Sequence, residues 1–125
     1  MALTYRSATP GDAADCVVLR GATRENAVSA ERLRSMGITT DSWAEDIRSG
    51  ALPGFVCTVQ ERMVGYCFGA SATGEVVVLA VLPAFEGQGI GRELLRRVVA
   101  HLLGLGRQRL FLGCSADPAT RSYGF

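Results

Sequence analysis

The sequence predicts an α/β fold built on a mixed sheet, and three observations carry that prediction. First, Phe55-Val56-Cys57-Thr58-Val59-Gln60 and Met63-Val64-Gly65-Tyr66-Cys67-Phe68-Gly69-Ala70 are β-rich runs joined by Glu61-Arg62, the pattern of a hairpin. Second, Thr73-Gly74 turns the chain into a third run, residues 75–82. It is almost continuously apolar and so reads as a central strand buried on both faces. Third, Pro83 punctuates that run, and Glu86-Gly87-Gln88-Gly89-Ile90-Gly91-Arg92 opens directly into an amphipathic helix.

The remaining elements follow in order. Leu3 to Ala8 alternates like a first strand. Thr9-Pro10-Gly11-Asp12 is a helix start, with a Thr cap, Pro at the first helical position and an acid three residues after the cap. That helix is expected to reach about Asn26, with Ala13, Ala14, Val17 and Val18 inward. A short helix is expected around 30–35. Residues 39–42 supply caps for another, with Trp43 and Ile47 one turn apart and Gly50 closing it. On the helix after Gly89, Leu94, Leu95, Val98, Val99, Leu102 and Leu103 form the apolar face, while Arg92, Glu93, Arg96, Arg97 and His101 form the other. Arg109 to Cys114 is the next strand, and Asp117-Pro118 starts a final helix. The order is β-α-α-β-β-β-α-β-α, with a short additional helix near 30–35 and one right-handed crossover at the glycine run. Residues 1–125 read as a single domain.

Composition excludes several classes. Hydrophobic residues are 48% of 125, enough for a real core. A net charge of +1 without a basic block argues against nucleic acid as a partner. No run reaches about 18 apolar residues, and the N-terminus lacks an apolar leader, so no membrane is expected and the cytoplasm is the default. Cys16, Cys57, Cys67 and Cys114 have no metal-ligand spacing and His101 is the sole histidine, so no metal site is expected. A tight turn at 60–62 could set Cys57 opposite Cys67, but reduced buried thiols are the favoured reading.

The glycine run carries the chemistry. Missing Cβ atoms let several backbone N–H groups converge on one anion, and a helix N-terminus adds roughly half a positive charge. This spells pyrophosphate binding. A dinucleotide fingerprint fails because the third glycine falls on Leu94, and no acid follows at the required distance. A Walker loop fails because the chain contains no Lys.

Glu86-x-x-Gly89-x-Gly91, with the preceding Leu79-Ala80-Val81-Leu82-Pro83 and the following Arg92-Glu93-Leu94-Leu95, resembles the acyl-coenzyme A loop of the GNAT N-acetyltransferase superfamily, Gln/Arg-x-x-Gly-x-Gly/Ala. The resemblance is strongest over residues 75–103, and Glu86 departs from the family's Gln/Arg. It implies acetyl-coenzyme A as co-substrate, with no metal. Leu79 and Val81 would pair with the pantetheine arm as a strand would. The amides of Gly87, Gln88, Gly89, Ile90, Gly91 and Arg92 would take the pyrophosphate. Asp117 stands where the family places an Asn against the arm.

Acetyl transfer to an amine needs a base, an oxyanion site and an acid for the departing thiolate. The resemblance makes Glu75 the candidate base and Tyr123 the candidate acid, and it places the oxyanion at a backbone N–H near Val81. Each has a plainer reading: Glu75 as a solvated strand-edge glutamate, Tyr123 as a packing residue, Cys114 as a buried thiol and not a nucleophile. The implied reaction is direct attack by a primary amine of a small molecule or protein within a ternary complex. A catalytically inactive acyl-coenzyme A-binding module is the alternative. Arg20, Arg24, Arg32 and Arg34 suit either an anionic acceptor or a solvated helix face. The family continues with two more strands after the final helix, so the sequence reads as C-terminally short; a homodimer could cover the resulting sheet edge.

Overall fold

The computed structural model describes residues 2–23, 29–106 and 111–112. Strand β1 (Thr4–Ser7) leads through a 3₁₀ turn at Pro10–Asp12 into α1 (Ala13–Arg20), followed by α2 (Ala30–Ser35) and α3 (Thr40–Ser49). A meander of β2 (Gly54–Val59), β3 (Arg62–Gly69) and β4 (Glu75–Val81) precedes α4 (Ile90–Gly104) and β5 (Phe111–Leu112). The sheet order is β1-β2-β3-β4-β5, antiparallel except for the parallel β4–β5 pair, so the predicted mixed α/β architecture holds. Three α-helices separate β1 from β2 where the order read from sequence counts two and an additional short one.

The caps explain the helix boundaries. Asp12 closes a capping box on Thr9, its carboxylate accepting from Thr9 N at 2.7 Å, and Arg6 grips the same carboxylate at 2.8 and 2.9 Å. Thr39 and Ser42 form the equivalent box for α3, and Gly50 ends it in the left-handed region at φ 83°. The first helix stops at Arg20 instead of reaching about Asn26. Its inward face is also rotated from the expected one. Ala13, Cys16, Val17, Leu19 and Arg20 are buried, whereas Ala14 is exposed and Val18 is 72% exposed.

Two apolar layers sandwich the sheet. On one face Ala13, Val17 and Leu33 pack with Trp43, Tyr66, Phe68, Val78 and Ala80. Trp43 meets Tyr66 and Phe68 edge-on at 5.5 and 5.6 Å, which makes it core. On the other face Ile90, Leu94, Val98 and Leu102 of α4 cover Cys57, Val64, Cys67 and Val76. This is a strict four-residue stripe, so Leu103, expected inward, is 52% exposed.

β4 is not buried on both faces along its length. Its residues alternate between half-buried and buried. A register shift opposite Phe68 and Gly69 leaves Val77 as an extra residue, so Val76 faces the α4 layer while Val78 and Ala80 face the α1–α3 layer. The β2–β3 turn is the two-residue Gln60-Glu61, one residue earlier than the sequence suggests, with φ of 51° and 67°. Cys57 therefore pairs with Gly65 and Cys67 with Phe55. The two thiols are buried, free and not opposite each other.

Candidate active site

The glycine run sits at the C-terminal end of β4. A 3₁₀ turn at Pro83–Phe85 carries the chain off the sheet, and Glu86 N donates to Pro83 O at 3.3 Å. Gly87 and Gly89 then adopt φ of 80° and 79°, left-handed values that cost an L-residue roughly 1–2 kcal/mol. Gly89 is the N-cap of α4, and no side chain caps it. The helix thus begins without a side-chain cap from Gly89, its first-turn N–H groups lying at the positive end of its dipole. Gly87, Gln88 and Gly89 are exposed, Ile90 is buried as an anchor, and Glu86 is half-buried.

Gly91 lies above the β4 residues expected to bear the pantetheine arm. A methyl built on it would sit 3.8 Å from Val81 Cγ2 and 3.9 Å from Leu79 Cδ2, an ordinary contact. The position thus has room for Gly or Ala. The structure brings Leu79, Val81 and the loop residues 86–92 together at one end of the sheet. Pairing between β4 and β5 is described at two rungs, Glu75↔Phe111 and Val76↔Leu112; among the described residues, nothing pairs with the β5 side of β4 beyond them.

Glu75 stands at the opposite end of β4, six residues from Val81, about 20 Å at strand rise. It is half-buried; its N donates to Thr73 Oγ1 at 3.2 Å, and its O accepts from Ala70 N at 2.7 Å. Asp117, Tyr123, Cys114 and Arg24 lie outside the described residues.

Around the start of α4 a cluster emerges that sequence spacing only partly shows. Glu93 accepts from Arg96 at 3.0 and 2.6 Å and from Arg97 at 2.7 Å. These hydrogen bonds hold its carboxyl down to about 2. The Arg97 guanidinium also covers the Tyr5 ring at 5.0 Å. Arg92 is exposed on the first turn, one turn before Arg96. Arg20 is a correction to the solvated-face reading: it is wholly buried, and burial lowers its pKa while the neighbouring Tyr66 opposes that fall. Arg32 and Arg34 are exposed. Burial pushes the Cys67 thiol up to about 12 and raises Cys16 and Cys57 as well, so none of these is a ready thiolate. Among the described residues no group of three or more His, Cys, Asp or Glu could hold a metal. No described helix is long and apolar enough to cross a membrane.

The acetyltransferase (GNAT) family model matches residues 21–125, and the chain belongs to that family of acyltransferases. Solved structures agree on the fold. An N-acetyltransferase from Thermoplasma acidophilum, PaiA, in complex with coenzyme A, is 12% identical, with TM-score 0.66 over 94% of this chain and 83% of that one. A ribosomal-protein-alanine N-acetyltransferase from Brucella melitensis is 18% identical, with TM-score 0.61 over 94% and 83%. A GNAT-family acetyltransferase from Streptococcus pneumoniae is 15% identical, with TM-score 0.69 over 89% and 73%. No curated protein matches the sequence.

Proposed function

We propose that the chain is a single domain that moves an acetyl group from acetyl-coenzyme A to a primary amine by direct attack in a ternary complex. The observation that carries this reading is the left-handed pair Gly87 and Gly89, which presents the uncapped start of α4 directly above Leu79 and Val81. The pyrophosphate takes the amides of 87–92, and the arm runs along β4 from Val81 and Leu79 towards Glu75. That direction points the thioester towards Glu75, and because β5 already pairs at Glu75 and Val76 the arm stops short of them, so Glu75 accepts the proton of the amine through water. Holding both reactants in one cleft supplies much of the acceleration. Tyr123 as the acid for the thiolate and Asp117 as an arm contact are assigned on the family pattern alone. The acceptor is an amine on a small molecule or a protein, and the cytoplasm is the proposed compartment.

Thermal unfolding with acetyl-coenzyme A, desulfo-coenzyme A and NAD tests the reading. A ligand at 100 times its Kd adds about 2.7 kcal/mol, a shift of several degrees. Stabilisation by the two coenzyme A compounds and not by NAD is expected. No shift with either coenzyme A compound removes the central support.

A further inference from the structure

A cleft of about 530 Å³ opens at the end of the sheet away from the glycine loop. Its walls include Ser7 at the end of β1, Ile47 in the last turns of α3, Phe55 in β2, Ser71 between β3 and β4, and His101 and Leu105 at the end of α4. The 15 residues of α4 separate it from Gly89, about 22 Å at helical rise. Its volume falls in the range of small-molecule sites. None of its lining residues is among those proposed for acetyl transfer, although Glu75 begins β4 at this same end of the sheet.

The lining has one chemical bias. Ser71 Oγ donates its single hydrogen to Gly50 O at 2.8 Å, so acceptor capacity is what it has left. Gly50 caps α3 and Leu105 caps α4, and both border the cleft, so the negative ends of two helix dipoles meet there. The Phe55 and His101 rings meet edge-on at 6.3 Å, an aromatic wall of the kind that attracts cations. Ile47 and Leu105 add apolar surface. Among the described lining residues there is no Arg, Asp or Glu. Acceptors, dipole ends and aromatic rings around an apolar floor suit a donor with a positive charge on a greasy body.

We propose that this cleft is a second ligand site, distinct from the coenzyme A site at the glycine loop, for a small amphipathic ammonium: a primary or secondary amine on an aromatic or aliphatic frame. Nuclear magnetic resonance titration of the whole chain with benzylammonium, benzyl alcohol and benzoate tests it. Benzylammonium is expected to shift the amides of Phe55, Ser71, His101 and Leu105 with a Kd on the order of 1 mM, leaving 87–92 unmoved. Benzyl alcohol and benzoate should bind at least about tenfold more weakly. Ser71→Ala should raise the Kd about fivefold, the loss of one hydrogen bond. Leu105→Arg, at a half-exposed position that tolerates change, should abolish binding by placing a fixed cation at the cleft. Equal binding of the alcohol or of benzoate, shifts centred on Glu75 or the glycine loop, or no shifts up to about 20 mM would each overturn the proposal.

Discussion

The Arg97 guanidinium lies 5.0 Å above the ring of Tyr5, while its Nε donates to Glu93 at 2.7 Å. One side chain on α4 thus fastens the edge strand β1 to the helix that carries the glycine loop. Arg97→Met is expected to cost about 1 kcal/mol, lowering the melting temperature by a few degrees. Tyr5→Leu should cost less in the Arg97→Met background than in the wild type. Strict additivity in this double-mutant cycle would show that the contact contributes nothing.

The acid end of the stability profile should carry the mark of Asp12. Burial pushes its carboxyl up, but hydrogen bonds from Arg6 and Thr9 outweigh that effect and hold it below its ordinary value. A carboxylate lowered in the folded state stabilises above its unfolded pKa of about 3.9, and that stabilisation drains away as pH falls through the folded value. Asp12→Asn is expected to cost about 1–2 kcal/mol near neutrality through the lost cap and ion pair, and progressively less below about pH 4. Melting temperatures of both proteins between pH 2 and 7 check this. A constant gap across that range would contradict it.

Gly89 and Gly91 should separate folding from ligand binding. Gly89→Ala places an L-residue at φ 79° and should cost about 1 kcal/mol in stability. Gly91→Ala makes only ordinary contacts with Val81 and Leu79, so its melting temperature should stay near that of the wild type. Gly91→Val brings a branched side chain to the surface proposed for the cofactor. Calorimetry should show coenzyme A affinity lost in Gly91→Val and retained in Gly91→Ala.

Glu75 has a kinetic test. As general base it should lose about 10²–10⁴ in kcat on change to Gln, with KM for acetyl-coenzyme A unchanged. Steady-state rates with a reactive primary amine decide the matter. An undiminished kcat returns Glu75 to an ordinary strand-edge residue.

Features fixed by a few adjacent residues were legible in the sequence. The Thr9–Asp12 and Thr39–Ser42 caps, the Gly50 stop and the strand–glycine–helix unit at 75–104 all stand where local chemistry puts them. The hidden features were those set by register. The continuous apolar run at 75–82 arises because the strand switches faces at Val77, so both parities must be apolar somewhere along it. A turn one residue earlier than expected separated Cys57 from Cys67. Arg20 shows the same limit: only the helix phase set by the Thr9 cap decides that this cation turns inward and Val18 outward. At the site, residues 79–92 are brought together by one local unit, whereas the Tyr5–Arg97 contact joins residues 92 positions apart and leaves no pattern in sequence.

That contact also bears on how the molecule opens. β2, β3 and β4 are joined by short turns, so their pairing closes small loops and should form early. β1 must instead find β2 across some 50 residues of intervening helices, as Tyr5 pairing with Cys57 requires. The edge strand is therefore the natural first element to detach in a partial unfolding event, and Arg97 acts as its latch. Because the latch residue sits two turns into α4, fraying of the N-terminus and order at the glycine loop should be coupled. Amide hydrogens of β1 should accordingly become slower to exchange when the loop is filled.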